Sequence, residues 1–383
     1  MNRRAFVLAV PALFSARLIA APSAPARFLL VFLRGGYDAA NVVVPISSAD
    51  YYAGRPNIAI PRDACRALDA DWGLHPALAA SIHPLYEKRE AAFIAFAGTD
   101  DTSRSHFETQ DTIELGQPLA SRSYASGFMN RLAAELGGRG AIAFGNQLPV
   151  AFRGPASVAN VALLAPKPAV DARQSELIAE MYRGSSLETP VAEGFAAREA
   201  VMRDLGEEMQ AANRNAVTPC AFEAQVKRVA RLMRSDYRLA FIDVGGWDTH
   251  VGEGGVQGQL ATRLEALGAA LATFAGAMAD DWRNTVVVVI SEFGRTFREN
   301  GNRGTDHGHG TVYWVLGGAL SGGRVVGEQV RVARGTLFQD RDYPVLNDYR
   351  AVLGGLLARV YGLQGDALAR VFPGATPKDL ALV

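Results

Sequence analysis

Phe28-Leu29-Leu30-Val31-Phe32-Leu33 is an unbroken apolar run that leads directly into the polar stretch Arg34-Gly35-Gly36-Tyr37-Asp38. Continuous rather than alternating apolar character is typical of a strand covered on both faces, as in a parallel sheet. Three further runs, at residues 92–97, 238–242 and 286–290, have the same character. The pattern predicts an α/β fold in which a mostly parallel sheet carries helices on both faces.

Each of these runs is followed by acids, glycines or histidine. The residues concerned are Gly98-Thr99-Asp100-Asp101, Asp243-Val244-Gly245-Gly246-Trp247-Asp248-Thr249-His250 and Ser291-Glu292-Phe293-Gly294-Arg295-Thr296. In open α/β sheets the ligand site lies beyond the carboxyl ends of the strands. We therefore expect one shared site at that edge.

Helical patterns lie between the apolar runs. An apolar stripe recurs every three or four residues through Leu260, Leu264, Leu267, Leu271, Phe274 and Met278, and a second stripe runs through Tyr349, Val352, Leu353, Leu356, Leu357 and Val360. Such spacing predicts helices that pack one face against a sheet. Residues from about 172 to 215 are charged and contain no strand-like run. We interpret them as a helical insertion in one α/β domain that spans residues 27–383.

Composition excludes some classes of partner. The chain has 383 residues, of which 49% are hydrophobic, and 39 basic side chains balance 39 acidic ones. This balance gives no reason to expect binding to nucleic acid or to an anionic membrane. No apolar run after the N-terminus is long enough for a membrane span. Cys65 and Cys220 are too few for a thiolate zinc site, and a disulfide between them is left open.

The N-terminus has the layout of a twin-arginine signal peptide. Arg3 and Arg4 precede an apolar run over residues 6–21, and small residues follow. We predict a signal over residues 1–26, cleaved after Ala21 or Ala26, that the twin-arginine translocase carries to the periplasm or out of the cell. The alternative is a basic N-terminus followed by a buried helix, which Pro11 and Arg17 disfavour.

Replacing Arg3 and Arg4 with lysine is expected to trap the precursor in the cytoplasm, because the arginine pair identifies the signal. The measurement is immunoblotting of periplasmic and cytoplasmic fractions. An unchanged periplasmic yield would remove the prediction.

Histidines and acids cluster in two short stretches. His250 follows Asp248, and His307 and His309 follow Asp306 in Gly304-Thr305-Asp306-His307-Gly308-His309-Gly310. Imidazole together with carboxylate suits zinc or a similar divalent ion. The three glycines of this stretch would let the backbone approach an ion or an anionic substrate. The alternative is that these histidines only make hydrogen bonds in loops.

The stretch Thr99-Asp100-Asp101-Thr102-Ser103-Arg104-Ser105-His106-Phe107-Glu108 follows a strand and opens a helix. In one interpretation Ser105 or Ser103 is the N-cap and Glu108 completes a capping box with Ser105. In the other, the hydroxyl faces the positive end of the helix and a metal lowers its pKa. Arg104 and His106 would then bind phosphate or sulfate oxygens.

Five motifs in order resemble those of the domain-of-unknown-function 1501 family. They are Leu33-Arg34-Gly35-Gly36-Tyr37-Asp38 and the stretches 103–108, 243–250, 291–296 and 304–310 quoted above. The resemblance runs from about residue 28 to the C-terminus. It implies membership of the alkaline phosphatase-like superfamily, which includes sulfatases and cofactor-independent phosphoglycerate mutases. The implied fold is a three-layer α/β/α domain with a metal site at the strand ends.

The resemblance also implies roles for individual residues. Ser105 resembles the nucleophile at a helix N-terminus. The implied metal ligands are Asp38, Asp248, His250, Glu292 and His307, with His309 as the alternate to His307. Phe293 stands where the superfamily has a histidine. We therefore expect one tightly held zinc, with at most a weak magnesium or calcium ion at a second, oxygen-only position.

These inferences define two hypotheses for function. The first is an exported metal-dependent hydrolase of phosphate or sulfate esters, acting on a small anionic ester. The second is a non-catalytic periplasmic binding or assembly protein that keeps the fold with a degenerate site, since a fold does not imply a function.

Overall fold

The computed structural model of the chain describes residues 26–163, 213–214 and 216–383. These residues form twelve strands: β1 (Arg27–Leu33), β2 (Val43–Val44), β3 (Arg66–Ala67), β4 (Gly73–Leu74), β5 (Ala91–Gly98), β6 (Ala141–Phe144), β7 (Val158–Val161), β8 (Leu239–Val244), β9 (Thr285–Ser291), β10 (Thr311–Gly317), β11 (Val325–Val326) and β12 (Asn347–Asp348). The predicted signal and nearly all of the predicted helical insertion lie outside the described residues.

Nine of the strands form one sheet in the order β11-β5-β10-β9-β1-β8-β6-β7, with β12 also paired to β5. All pairings in it are parallel except those of β10, which runs antiparallel to β5 and β9. Strands β2, β4 and β3 form a separate small sheet. The four apolar runs are β1, β5, β8 and β9, so the mostly parallel sheet predicted from them is confirmed.

Helices cover both faces of the large sheet. They are α1 (Ala49–Gly54), α2 (Ile82–Glu87), α3 (His106–Leu115), α4 (Phe128–Glu135), α5 (Pro219–Ser235), α6 (Gln259–Met278), α7 (Tyr349–Tyr361) and α8 (Asp366–Val371). Apolar side chains of α2, α5 and α6 fill the core on one face. Those of α4, α7 and α8 fill the core on the other face. The three-layer α/β/α arrangement is confirmed.

Strand β1 shows why its sequence is apolar at every position. Leu29, Val31 and Leu33 point into one core, while Phe28, Leu30 and Phe32 point into the other. None of these six side chains is exposed. Because successive side chains of a strand alternate between faces, a strand buried on both sides has no position left for a polar residue.

Both apolar stripes lie on helices as predicted. All six stripe residues of α6 are buried, as are all six of α7. Helix α7 begins where the Asp348 carboxylate accepts hydrogen bonds from the backbone N–H groups of Arg350 and Ala351, at 2.9 and 3.2 Å. The Asp348 side chain thereby supplies an acceptor for two backbone N–H groups that have no partner within the helix.

Five strand ends meet at one edge of the sheet. The carboxyl ends of β1, β5, β8 and β9 lie there because these strands run in the same direction. Strand β10 runs the other way, so its amino end reaches the same edge. The stretch 304–310, which precedes β10, is thereby brought beside the residues that follow β8 and β9.

Two remaining expectations concern cysteines and membranes. Cys65 is half-buried, Cys220 is exposed, and both thiols are free, so the disulfide left open by the sequence is not formed. Within the described part of the chain, no helix combines the length and apolar character needed to cross a bilayer.

Candidate metal centre

His106 lies at the first position of α3, where Ser105 is the N-cap in an extended conformation. This change of backbone direction turns the His106 side chain inward, so that it is only 2% exposed. Its Nδ1 lies 2.7 Å from Oε1 of Glu292, which follows β9. Its Nε2 is left to face the edge of the sheet.

His250 and Asp248 follow β8 and face the same point. His250 Nε2 lies 2.9 Å from Asp248 Oδ1. His250 Nδ1 lies 3.3 Å from Oδ1 of Asp306. Asp248 is buried, whereas His250 is partly exposed, so the cluster opens to solvent on the His250 side.

His307 joins the other two histidines. Its Nε2 lies 2.9 Å from His106 Nε2 and 3.0 Å from His250 Nε2. Its Nδ1 lies 3.0 Å from the carbonyl oxygen of Arg104. The adjacent Gly308 lets this stretch approach β9, because a Cβ there would lie 2.5 Å from the backbone of Arg295. The glycine is needed for backbone packing that places His307.

The Nδ1 partners define how each ring is oriented. A carbonyl oxygen or an ionised carboxylate can only accept, so Nδ1 donates in all three histidines. The Nε2 atoms of His106 and His250 then both face Nε2 of His307. Imidazoles that bind metals show this arrangement, with the second ring nitrogen donating to a carboxylate or a carbonyl.

The spacing of these atoms fits one zinc ion. Zinc binds imidazole at about 2.0–2.1 Å in tetrahedral geometry, which places ligand atoms roughly 3.3 Å apart. Besides the Nε2 pairs at 2.9 and 3.0 Å, Asp248 Oδ1 lies 3.4 Å from His307 Nε2 and Asp248 Oδ2 lies 3.5 Å from His106 Nε2. Potential ligand atoms of His106, Asp248 and His307 all lie within 4.8 Å of one another. His106, Asp248 and His307 therefore form a group of donors that could hold a metal ion, and His250 lies beside His307 and Asp248.

Asp248 is the electrostatic centre of the cluster. Burial would raise the pKa of Asp248, but its contacts with His106, His250 and His307 and the charge of Arg295 hold it well below its usual range. The Arg295 guanidinium, which is fully buried, donates to Asp248 Oδ1 at 2.5 Å. Asp248 is therefore ionised throughout the physiological range.

The two innermost histidines differ in protonation. Burial lowers the pKa of His106, but its hydrogen bonds to Asp248 and Glu292 raise it to about 9. Burial lowers the pKa of His307 despite the hydrogen bond to Asp248. At neutral pH His106 is therefore protonated, whereas His307 is neutral.

Glu292, predicted as a metal ligand, orients His106 instead. Its carboxylate is fully buried and accepts from the backbone N–H of Gly35 at 2.8 Å and from Gln110 Nε2 at 2.9 Å. Burial alone would raise the pKa of Glu292, but the hydrogen bonds from His106 and Gln110 lower it to about 2. Through its contact with Nδ1, Glu292 fixes the orientation of the His106 ring.

The structure does not bring Asp38 or His309, both predicted metal ligands, into the cluster. Asp38 is fully buried and paired with the equally buried Arg55 through both carboxylate oxygens, with one contact of 3.0 Å. Burial would raise the pKa of Asp38, but Arg55 lowers it. His309 is buried against the ring of Phe338, with ring centroids 4.7 Å apart.

The segment before α3 also differs from expectation. Arg104, predicted to bind an anionic group, donates to Asp342 at 2.7 and 2.9 Å. Ser105 is the N-cap, but its hydroxyl makes no capping hydrogen bond. Glu108 forms an ion pair with Arg122 at 2.8 Å, so the capping box does not form.

The sequence reasoning gave one residue of the site a different role and missed another. His106 was assigned to substrate oxygens, although its position at the start of α3 places Nε2 among the metal-binding donors. Arg295 lies in the quoted stretch 291–296 but was given no role. The available signal was its position, because Arg295 stands two residues after Phe293, just beyond the end of the buried strand β9.

Phe293 forms an apolar wall of the cluster. Its ring centroid lies 4.8 Å from that of His106 and 5.2 Å from that of His307, and the side chain is 2% exposed. A phenylalanine cannot bind a metal. Where the superfamily pattern has a histidine, this chain therefore has a hydrophobic contact beside the His106 ring.

The fold and the site define a three-layer α/β protein with a histidine–carboxylate centre at the carboxyl edge of its sheet. The chain belongs to the family described as "Protein of unknown function (DUF1501)", whose sequence profile matches residues 25–372. The family predicted from the five motifs is confirmed. No curated protein is a significant match to the sequence.

Several solved structures are similar to the chain at low identity. An alkaline phosphatase superfamily protein from Vibrio parahaemolyticus is 10% identical, with a TM-score of 0.39 over 88% of this chain and 67% of that one. A 2-O GAG sulfatase is 11% identical, with a TM-score of 0.40 over 93% and 76%. The zinc complex of the C-terminal periplasmic domain of EcEptC from Escherichia coli is 10% identical, with a TM-score of 0.35 over 77% and 74%. Similarities this low assign no activity to the chain.

Proposed function

We propose that this protein is an exported, metal-dependent hydrolase of phosphate or sulfate esters. One observation carries the proposal: His307 Nε2 lies within 3.0 Å of Nε2 of both His106 and His250, beside the ionised Asp248. A histidine that only makes structural hydrogen bonds does not require two other imidazole nitrogens within 3.0 Å of its own. Such a convergence is typical of a site built for a cation.

His106, Asp248, His250 and His307 are the residues that would hold the ion, which we propose to be a single zinc. Bound there, zinc would neutralise the charge that develops on the ester and lower the pKa of an attacking hydroxyl. The oxygen ligands expected for a weak second ion, Asp38 and Glu292, have protein partners instead. We therefore propose one ion per chain.

The chain's own groups have distinct tasks in this proposal. Ser105 would attack, because its hydroxyl lies at the amino end of α3, where the helix dipole favours negative charge. Both of its chain neighbours contact the cluster. The carbonyl oxygen of Arg104 accepts a hydrogen bond from His307, and the ring of His106 contacts that of His307. Arg295 holds the Asp248 carboxylate in place. Exposure of the His250 side chain leaves the centre open to a substrate.

A specific observation favours the rival hypothesis of a non-catalytic binding or assembly protein. Arg104, expected to hold an anionic substrate, has its guanidinium engaged by the buried Asp342. A substrate would have to find another cation. The two hypotheses differ in what the purified mature protein should do with metal and with esters.

The test of the proposed function is metal analysis of the dialysed mature protein, followed by hydrolysis of generic phosphate and sulfate esters. We expect about one zinc per chain and turnover of one class of ester. Zinc without turnover of either class would favour the non-catalytic hypothesis, and a metal-free protein would overturn the metal site.

Ser105→Ala is expected to lower ester hydrolysis by at least about 10³-fold, because removing a nucleophile disables the whole catalytic group. Zinc content should not change, since the Ser105 hydroxyl is not one of the converging donors. Initial rates and metal content of the same preparation measure both effects.

Ser103→Ala is the matched control, because this neighbouring hydroxyl contacts Thr109 and the backbone N–H of Ser105. It should retain most of the activity. Full turnover in Ser105→Ala would move the attacking role to Thr102, to Ser103 or to a water molecule.

A further inference from the structure

Arg263, on the second turn of α6, has a guanidinium nitrogen that lacks a hydrogen-bond acceptor among the described residues. Its Nη1 is buried and has no hydrogen-bond partner among the described residues. Its Nη2 donates to Gln259 Oε1, one turn earlier, at 3.2 Å. A buried donor left without an acceptor costs free energy, so native structures rarely retain one without a reason.

Other arginines at this edge of the sheet are paired with carboxylates. Arg34 contacts Asp243 at 2.7 Å, Arg55 pairs with Asp38, and Arg295 contacts Asp248 at 2.5 Å. None of the ion pairs between described residues includes Arg263. A half-buried guanidinium that has no carboxylate partner is suited to an anion from outside the chain.

The Arg263 side chain lies beside the turn that leads from β8 to Asp248. Its Nε lies 3.7 Å from the place that a Cβ on Gly246 would occupy, and it is the one atom of the described residues within 4 Å of that place. Gly246 lies between β8 and Asp248. Burial lowers the pKa of Arg263 more than the charges of Glu253 and Asp248 raise it, and neither carboxylate forms an ion pair with it.

The turn beside Arg263 carries no side chain at Gly246. Gly246 has φ +92°, a backbone conformation that side chains rarely adopt. Its N–H donates to Asn213 Oδ1 at 2.9 Å, and no side chain of its own stands between the backbone and Arg263 Nε.

We propose that Arg263 binds the tetrahedral oxyanion of the substrate, the phosphoryl or sulfuryl group of the ester, beside the metal centre. The inference rests on the proposed function and deepens it by naming the group that replaces Arg104 as the substrate's cation. Guanidinium groups hold such oxyanions through paired N–H donors. Arg263 is thus a substrate-binding residue that the motif resemblance does not assign.

The test is binding of inorganic phosphate and of inorganic sulfate, in separate titrations, to the full mature chain. Wild type is compared with Arg263→Gln, Arg263→Lys and the control Arg359→Gln, which alters an exposed ion pair with Asp379. Each titration is run on zinc-loaded and on chelator-treated protein, with zinc counted in parallel. Calorimetry gives the affinities, and thermal melting shows whether each variant is folded.

We expect Arg263→Gln to weaken binding of the preferred anion by roughly 10- to 100-fold, the range for losing a charge-assisted hydrogen bond. Arg263→Lys, which keeps the charge but not the paired donors, should lose less, and Arg359→Gln should match wild type. The anion whose binding is weakened in Arg263→Gln, phosphate or sulfate, identifies the class of ester.

Equal affinity in wild type and Arg263→Gln would overturn the inference, as would a wild-type protein that binds neither anion at millimolar concentration. Either result can occur in a protein that still holds zinc and hydrolyses esters, in which case the proposed function stands alone. Conversely, an Arg263-dependent anion site in a chain that never holds zinc would support the inference and remove the proposed function.

Discussion

His307→Ala is expected to leave the dialysed protein with less than about a tenth of the zinc that wild type holds. His307 Nε2 is the atom shared by the contacts to His106 and His250, at 2.9 and 3.0 Å. Loss of a residue that merely orients a ligand already costs about 10- to 100-fold in metal affinity. Removing the central ligand itself should cost more than roughly 100-fold.

The measurement is metal counting by mass spectrometry on wild type, His307→Ala and a control variant. His83→Ala serves as the control, because His83 lies on α2 and contacts only Glu87, one turn later, at 3.7 Å among the ion pairs described. His83→Ala should hold as much zinc as wild type. Stoichiometric zinc in His307→Ala would show that the convergence of imidazoles is not the metal site.

The same measurement tests the number of ions. Wild type should hold one zinc, and two tightly held zinc ions per chain would contradict the proposal. Phe293→His restores the imidazole that the superfamily pattern expects beside His106 and His307. A second ion in that variant alone would identify Phe293 as the reason that the natural chain holds one.

Asp38→Asn is expected to lower the free energy of unfolding by about 3–5 kcal/mol without loss of zinc. The substitution keeps the shape of the side chain but leaves the guanidinium of Arg55 uncompensated in a site where neither side chain is exposed. Breaking a buried ion pair by removing one partner has a cost of this size. Urea unfolding followed by circular dichroism measures it.

Asp379→Asn provides the matched control, because it breaks an ion pair with Arg359 in which both side chains are about half exposed. An exposed pair contributes about 0–1 kcal/mol, so this variant should unfold close to wild type. Zinc content separates the two possible roles of Asp38. If Asp38→Asn loses its zinc while remaining folded, Asp38 is a ligand after all, as the motif resemblance implies.

Sequence reasoning predicted the fold because its signals are local and repeated. Away from their ends, β1, β5, β8 and β9 are apolar at every position, which burial on both faces explains. The stripes of α6 and α7 follow helical spacing. The reversed strand β10 was not predicted, yet it is the reason that the stretch containing His307 reaches the site edge.

The site was predicted in part, for a physical reason. Asp248, His250 and His307 come together as expected, because each lies directly beside a strand end. The partner of Asp38 is Arg55, which lies at the end of the short helix α1, and no periodicity links the two positions. The inward turn of His106 depends on where α3 begins, and a difference of one residue would direct another side chain at the metal.

The placement of β1 at the centre of the sheet has a consequence for biosynthesis. Its two neighbours, β8 and β9, begin more than 200 residues later in the chain. At translation rates of about 5–20 residues per second, roughly 10–50 s pass between synthesis of β1 and of β9. During that interval the apolar residues 28–33 have neither partner strand. We expect this segment to be the principal chaperone-binding site of the nascent chain, and folding to start only after three-quarters of the polypeptide exists.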